Sequence, residues 1–174
     1  MPIKSITAEQ ANELLHMEKK IVIDDDLQDS YHVSLPDNFF LRFPMQSLDG
    51  NNMFLMQISQ SPYNNIRIDF HFQEHCQYIG LLRIDYNNVH KNPKTINKHV
   101  PAIARDYQGQ YIKGSHLHFY VEGYKPLAWA IPLQVSDFPV KSIQNSENLF
   151  SALEAFCSKI NLTTKILTEG RLFL

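Results

Sequence analysis

The stretch His116-Leu117-His118-Phe119-Tyr120-Val121-Glu122 sets four proton-exchanging side chains at every second position. Strict alternation makes it a β-strand, with His116, His118, Tyr120 and Glu122 on one face and Leu117, Phe119 and Val121 on the other. The polar face of a half-buried strand ordinarily carries Lys, Thr, Ser or Glu. Two imidazoles, a phenol and a carboxylate in one row point instead to proton transfer or ligation, because imidazole titrates near neutral pH and a neighbouring carboxylate tunes it.

Three chemistries fit that row. Acid/base cleavage of RNA through the 2′-hydroxyl needs a base, an acid for the leaving oxygen and a cation for the phosphorane charge, and needs no cofactor. His116, His118 and Glu122 then exchange protons, His90 assists, and Tyr120 stacks on a base or donates a proton. Arg83, Lys91 or His90 would stabilise the phosphate of the substrate. In the second chemistry His116, His118 and Glu122 ligate a metal. In the third the histidines are hydrogen-bonded members of a polar sheet face, paired with Asp69, Asp85 or Glu122. The cofactor-free catalytic reading is taken forward, with no metal assigned.

The elements that must position these groups are legible in the hydrophobic period. Thr7 and Gln10 have the spacing of a capping box, and Ala8, Ala11, Leu14 and Leu15 form one helical stripe. Asp24-Asp25-Asp26 with Asp29 reads as a solvated turn or loop. From about Tyr31 to Tyr86 the period is two, giving strands near 31–35, 39–44, 53–59, 65–73 and 77–86 in an antiparallel meander. Within the last two, Arg67 and Asp69 stand beside Arg83 and Asp85 on the polar side, where cross-strand ion pairs are expected. Alternation then stops from about 87 to 115. This segment carries Lys91, Lys94, Lys98, Arg105 and Lys113 against Asp106 alone. It reads as a basic loop, either a flexible insertion or a recruiter of phosphate. Leu127 to Leu133 returns as a strand with Trp129 in the core. Asn145 or Ser146 caps a second helix striped by Leu149, Leu153, Phe156 and Ile160, and Lys165 to Leu174 adds an edge strand. The expected fold is α+β: a curved antiparallel sheet of six to eight strands with one helix near each end of the chain, in a single domain over 1–174.

Composition narrows the function. A net charge of -2 gives the whole molecule no positive field for nucleic acid or anionic membrane, so any anion site is local. The apolar run of a membrane span and the pattern of a signal peptide are both missing, which predicts a cytoplasmic protein with no membrane partner. Cys76 and Cys157 fit no metal spacing and read as free thiols.

Leu81-Leu82-Arg83-Ile84-Asp85, Val89-His90-Lys91-Asn92-Pro93, Ser115 through Tyr124, and Ala128-Trp129-Ala130-Ile131-Pro132-Leu133 together resemble a family of small, functionally uncharacterised bacterial and phage proteins. That resemblance spans nearly all of the chain. It implies that His90, Asn92, His116, His118, Tyr120 and Glu122 are functional positions. The connection from Asn92-Pro93 to His116 is longer than the family pattern and lacks its Asp-Gly. Travel on mobile elements implies two function classes: a toxin-like ribonuclease acting on RNA and restrained by a cognate antitoxin, or a non-enzymatic inhibitor of a host protein or nucleoprotein machine. The enzyme requires His116 and His118. The inhibitor depends on surface residues such as the Asp24 to Asp29 patch or the basic loop.

Overall fold

The computed structural model describes residues 5–169. Helix α1 (Ala8–His16) is followed by β1 (Lys19–Ile23), β2 (Asp26–Leu27), β3 (Ser30–Ser34), β4 (Phe40–Ser47), β5 (Met53–Gln60), β6 (Ile68–Glu74) and β7 (Ile79–Lys91). A short helix α2 (Ala102–Arg105) precedes β8 (Tyr111–Phe119) and β9 (Trp129–Pro132), and α3 (Ser146–Lys159) leads into β10 (Lys165–Glu169). Eight strands form one antiparallel sheet in the order β2-β1-β4-β5-β6-β7-β8-β9. The α+β expectation is therefore met, with the early and late helices in place.

Alternation creates the two faces. In β6 the residues Ile68, Phe70 and Phe72 are buried while Asp69, His71 and Gln73 are half-buried, so one side of the sheet is apolar and the other polar. The apolar side packs on α1 and α3, chiefly through Ala11, Leu149, Leu153 and Phe156. Each of the buried Leu and Phe side chains contributes on the order of 2 kcal/mol through apolar area removed from water. The Thr7–Gln10 capping box is formed at α1, and the Asn145 side chain accepts from Asn148 N at α3.

Two elements depart from the sequence expectation, and a third, the acidic patch, is the exposed turn that the sequence predicts. β3 leaves the meander and pairs in parallel with β10, so the expected tail strand joins a separate two-stranded sheet; positions 170–174 lie outside the described residues. The acidic patch belongs to a hairpin. Asp24 and Asp25 sit at φ 50 and 67 between the paired residues Ile23 and Asp26, the left-handed pair that a two-residue turn requires. The basic segment is strand at both ends, as β7 continues to Lys91 and β8 begins at Tyr111. Its middle is ordered by α2, where Val100 and Ala104 pack with Val121, Trp129 and Ile131 in a second small core. An apolar anchor of this kind is invisible to charge counting.

Lys19 is the one charged side chain described within the apolar side with no exposure. Its ammonium donates to the Leu15 and Ile160 carbonyls at the ends of α1 and α3 and lies 4.9 Å from the Phe54 ring centroid. Burial pushes its pKa down to about 7. The helix-end carbonyls compensate the buried charge and tie both helices to β1.

Candidate metal centre

Strand register assembles the site. Across β6, β7 and β8, Asp69 pairs with Asp85 and Asp85 with His116; one step along, His71 pairs with Arg83 and Arg83 with His118. All six residues lie on the polar side of the sheet. Between Asp85 and Asn88 the register shifts, because Tyr86 and Asn87 face the single residue Ser115 and Asn87 takes φ 57. This bulge ends regular pairing beside the histidines, where bulges commonly re-aim side chains.

The orientation of each imidazole follows from its Nδ1. His116 Nδ1 lies 2.9 Å from the Gly114 carbonyl, and His118 Nδ1 lies 2.9 Å from the Leu127 carbonyl. A carbonyl oxygen only accepts, so both Nδ1 atoms carry a proton and each ring turns its Nε2 away from the backbone. Both Nε2 atoms point at one oxygen, Asp85 Oδ2, at 3.5 Å from His116 and 3.4 Å from His118. Neither Nε2 has a hydrogen-bond partner, and the Asp85, His116 and His118 ligand atoms all lie within 4.8 Å of one another. Three electron-pair donors facing each other repel unless a cation or protons lie between them. Metal–ligand bonds of about 2.0–2.1 Å in a tetrahedron imply ligand–ligand edges of about 3.3–3.4 Å; the two His–Asp85 separations are close to this, and the whole group spans no more than 4.8 Å. Backbone carbonyls that hold Nδ1 protons are the usual outer support of metal-binding histidines.

Both supporting carbonyls belong to residues with left-handed backbone. Gly114 has φ 93, a conformation that favours glycine. Leu127 has φ 59, which a bulky side chain adopts only under restraint. That restraint is visible: a Cβ on Gly80 would lie 2.6 Å from Leu127 Cδ1, so the leucine packs where only glycine leaves room. The next carbonyl, Ala128, accepts from His90 Nε2 at 2.9 Å. His90 stands beside the pair, its ring centroid 4.5 Å from that of His118. Burial lowers its pKa.

Electrostatics favour an ionised Asp85. Burial opposes its charge, but the facing His116 and His118 rings and the Arg83 guanidinium outweigh this and hold the carboxyl well below the usual range. Arg83 Nε donates to Asp85 Oδ1 at 2.5 Å, leaving Oδ2 to the histidines. Asp69 behaves oppositely. Burial, then the nearby Asp85 charge, raises its pKa to about 6. A pocket of about 390 Å³ opens above this floor, lined by Arg83, Asp85, His90, His118 and Leu127 among others.

The remaining positions singled out in the sequence lie elsewhere. Tyr120 donates to the Ile6 carbonyl at 2.7 Å, and Glu122 accepts from Ala8 N at 2.8 Å, so both hold the start of α1. Pairing of β8 ends at Phe119, and the alternation that would have kept them beside the histidines ends with it. Glu122 is therefore replaced by Asp85 as the carboxylate of the three-ligand group. Asn92 is buried and bonds through its amide to both backbone groups of Ala130, closing the loop against β9. Lys91 is exposed with its ammonium over the Tyr111 ring. Asp85 reads in sequence as an ion-pair partner of Arg83. Only the β7–β8 register makes it the third corner. Leu127 carried no sequence signal, whereas Gly114 two positions before His116 could have been read as one.

Comparison with protein families matches residues 6–162 to the family of unknown function DUF6978. No curated protein and no solved structure matches the chain.

Proposed function

Because the chain belongs to the DUF6978 family, whose function is unknown, its activity has to be read from the site itself, and we propose that it is a hydrolase of phosphate esters in nucleic acid whose Asp85, His116 and His118 hold one divalent cation. The observation that carries this reading is the convergence of two Nε2 atoms on one carboxylate oxygen, each ring already giving its Nδ1 proton to a backbone carbonyl and neither Nε2 making a hydrogen bond. Two imidazoles and a carboxylate suit zinc and related divalent transition ions. Such a cation would lower the pKa of a water bound to it, and in hydrolysis that water's oxygen would bond to phosphorus as the ester P–O bond breaks, its proton passing to the leaving alcohol. Arg83, on the pocket wall, faces the negative charge that develops on the phosphoryl oxygens.

The near-complete burial of His116 and Asp85 favours a second reading, in which the cation is bound without turnover and the protein acts by binding a partner, as the inhibitor class requires. One experiment separates these from metal-free acid/base chemistry. Chelator-stripped protein is titrated with Zn²⁺ by calorimetry and assayed on end-labelled RNA with and without EDTA, beside His116→Ala/His118→Ala of verified fold. The proposal expects one ion per chain and EDTA-sensitive cleavage, both lost in the variant. Cleavage that survives EDTA returns the site to metal-free acid/base chemistry. Uptake without cleavage supports the binding protein, and neither uptake nor cleavage makes the cluster structural.

A further inference from the structure

The central pocket has neighbours on both sides. Toward the β7–β8 loop it shares His90, Pro126 and Leu127 with a cavity of about 540 Å³ whose wall carries Lys91, Lys94 and Lys125 and no carboxylate. In the opposite direction it shares Arg83 with a polar groove of about 340 Å³ that runs over β6, β5 and β4 to Arg42. Through these shared residues the three cavities adjoin one another, with the Asp85 pocket between the other two.

The groove end of this series is built on the same sheet rows as the site. Following the register outward from His118 gives Arg83, His71, Gln57 and Arg42; following it from His116 gives Asp85, Asp69, Ser59 and Phe40. Four strand spacings separate β8 from β4, about 19 Å, enough for several nucleotides of an extended strand. Phe40 is 60% exposed with the Arg42 guanidinium 5.5 Å from its ring centroid, and Tyr78, at the groove's hairpin end, is 71% exposed. Exposed aromatic faces beside cations are stacking platforms for unpaired bases. Lysines without carboxylate neighbours at the opposite end suit backbone phosphates, and they supply the local positive field that the net charge of -2 denies to the molecule as a whole.

We infer that this path is a binding channel for single-stranded nucleic acid, which crosses the polar face of the sheet from Lys91, Lys94 and Lys125, over the Arg83 pocket, to Phe40 and Arg42. Placing the scissile phosphate at the centre rests on the metal reading above; the path does not. The channel recognises phosphodiester and base, so RNA and DNA are both candidate ligands, and the test carries an arm for each.

Full-length protein in EDTA is titrated into fluorescein-labelled oligouridylate, oligodeoxythymidylate and a duplex of matched length, with binding read by anisotropy over a range of salt. Single strands of at least one kind are expected to bind more tightly than duplex. Lys91→Ala/Lys94→Ala/Lys125→Ala, three exposed positions, is expected to weaken binding at least tenfold. At about 0.7 counterions per phosphate contact on a single strand, it should also lower the log–log salt slope by about 2. Phe40→Ala is expected to cost about tenfold with the slope unchanged. The channel is overturned by tighter duplex binding, by an unaltered triple variant, or by wild-type protein that takes up Zn²⁺ in calorimetry but leaves the oligonucleotides free. Oligonucleotide binding by protein that takes up no Zn²⁺ supports the channel and removes only the metal.

Discussion

Residues 116–118 and residues 120–122 belong to one alternating stretch, but they end up in different parts of the molecule. The first pair stays within the paired length of β8 and faces Asp85 across the β7 register; the second lies past Phe119 and bonds to the backbone at Ile6 and Ala8. The carboxylate of Glu122 and that of Asp85 do opposite work. Glu122 accepts at a helix start, where negative charge is favourable and half in water, while Asp85 is buried among donors and lone pairs. A sequence period therefore says which residues share a face only as far as the strand is paired. What stands opposite is decided by the neighbouring strand.

The sharpest way to break this contrast is Asp85→Asn. The amide keeps the shape but loses the charge that faces both Nε2 atoms, so Zn²⁺ affinity is expected to fall more than a hundredfold and EDTA-sensitive cleavage to vanish. Circular dichroism should show the fold retained. A variant that binds Zn²⁺ as tightly as the parent would move the centre away from Asp85.

A smaller loss is expected from Gly114→Ala. Nothing lies within 4 Å of the added Cβ, so the cost is purely the φ of 93, on the order of 1 kcal/mol. Relaxing that strain turns the carbonyl that holds His116 Nδ1–H. Zn²⁺ affinity is expected to drop ten- to a hundredfold, as for other groups that support metal ligands. Calorimetry reads the affinity and thermal melting reads the strain; a variant with lowered Tm and unchanged affinity would show that the Gly114 carbonyl does not orient the ring.

Much of the fold was legible because periods of two and 3.6 residues are local. β4 to β8, both long helices and the capping box at Thr7 follow from the spacing of apolar and capping residues. β3 could not be assigned its partner, since Ser30–Ser34 pairs with a strand well over a hundred residues later. The site was half legible. His116 and His118 announce themselves by type and spacing, whereas Asp85 looks like any strand aspartate beside an arginine until register sets it opposite His116. Leu127 contributes only its backbone, so nothing in its side chain could signal the role. Asn92 entered through the family resemblance, and its buried amide bonds both backbone groups of Ala130, a contact no local pattern announces.

Glu122→Gln sharpens the contrast from the other side. The variant keeps an acceptor for Ala8 N and loses the charge at the start of α1, so it is expected to lower stability by about 0.3–1 kcal/mol, or a few degrees at most in Tm. Zn²⁺ uptake and cleavage should be untouched. Loss of metal in this variant would return Glu122 to the ligand set and contradict its placement at the helix.

Tyr120→Phe gives the cleanest separation of roles. The hydroxyl donates to the Ile6 carbonyl and accepts from Ile6 N at 3.2 Å, and the ring packs partly against the main core. Removing one oxygen leaves the packing and frees two backbone groups at a site open enough for water to reach them, so the cost is about 0.5–1.5 kcal/mol. If Tyr120 donated a proton in catalysis, the same change would lower turnover at full substrate occupancy and flatten the alkaline side of the pH–rate profile. Holding the start of α1 predicts neither. The expected result is a slightly lower Tm, faster hydrogen exchange confined to the first turn of α1, and an unchanged pH–rate profile, because the oxygen that is removed touches the helix and not the pocket.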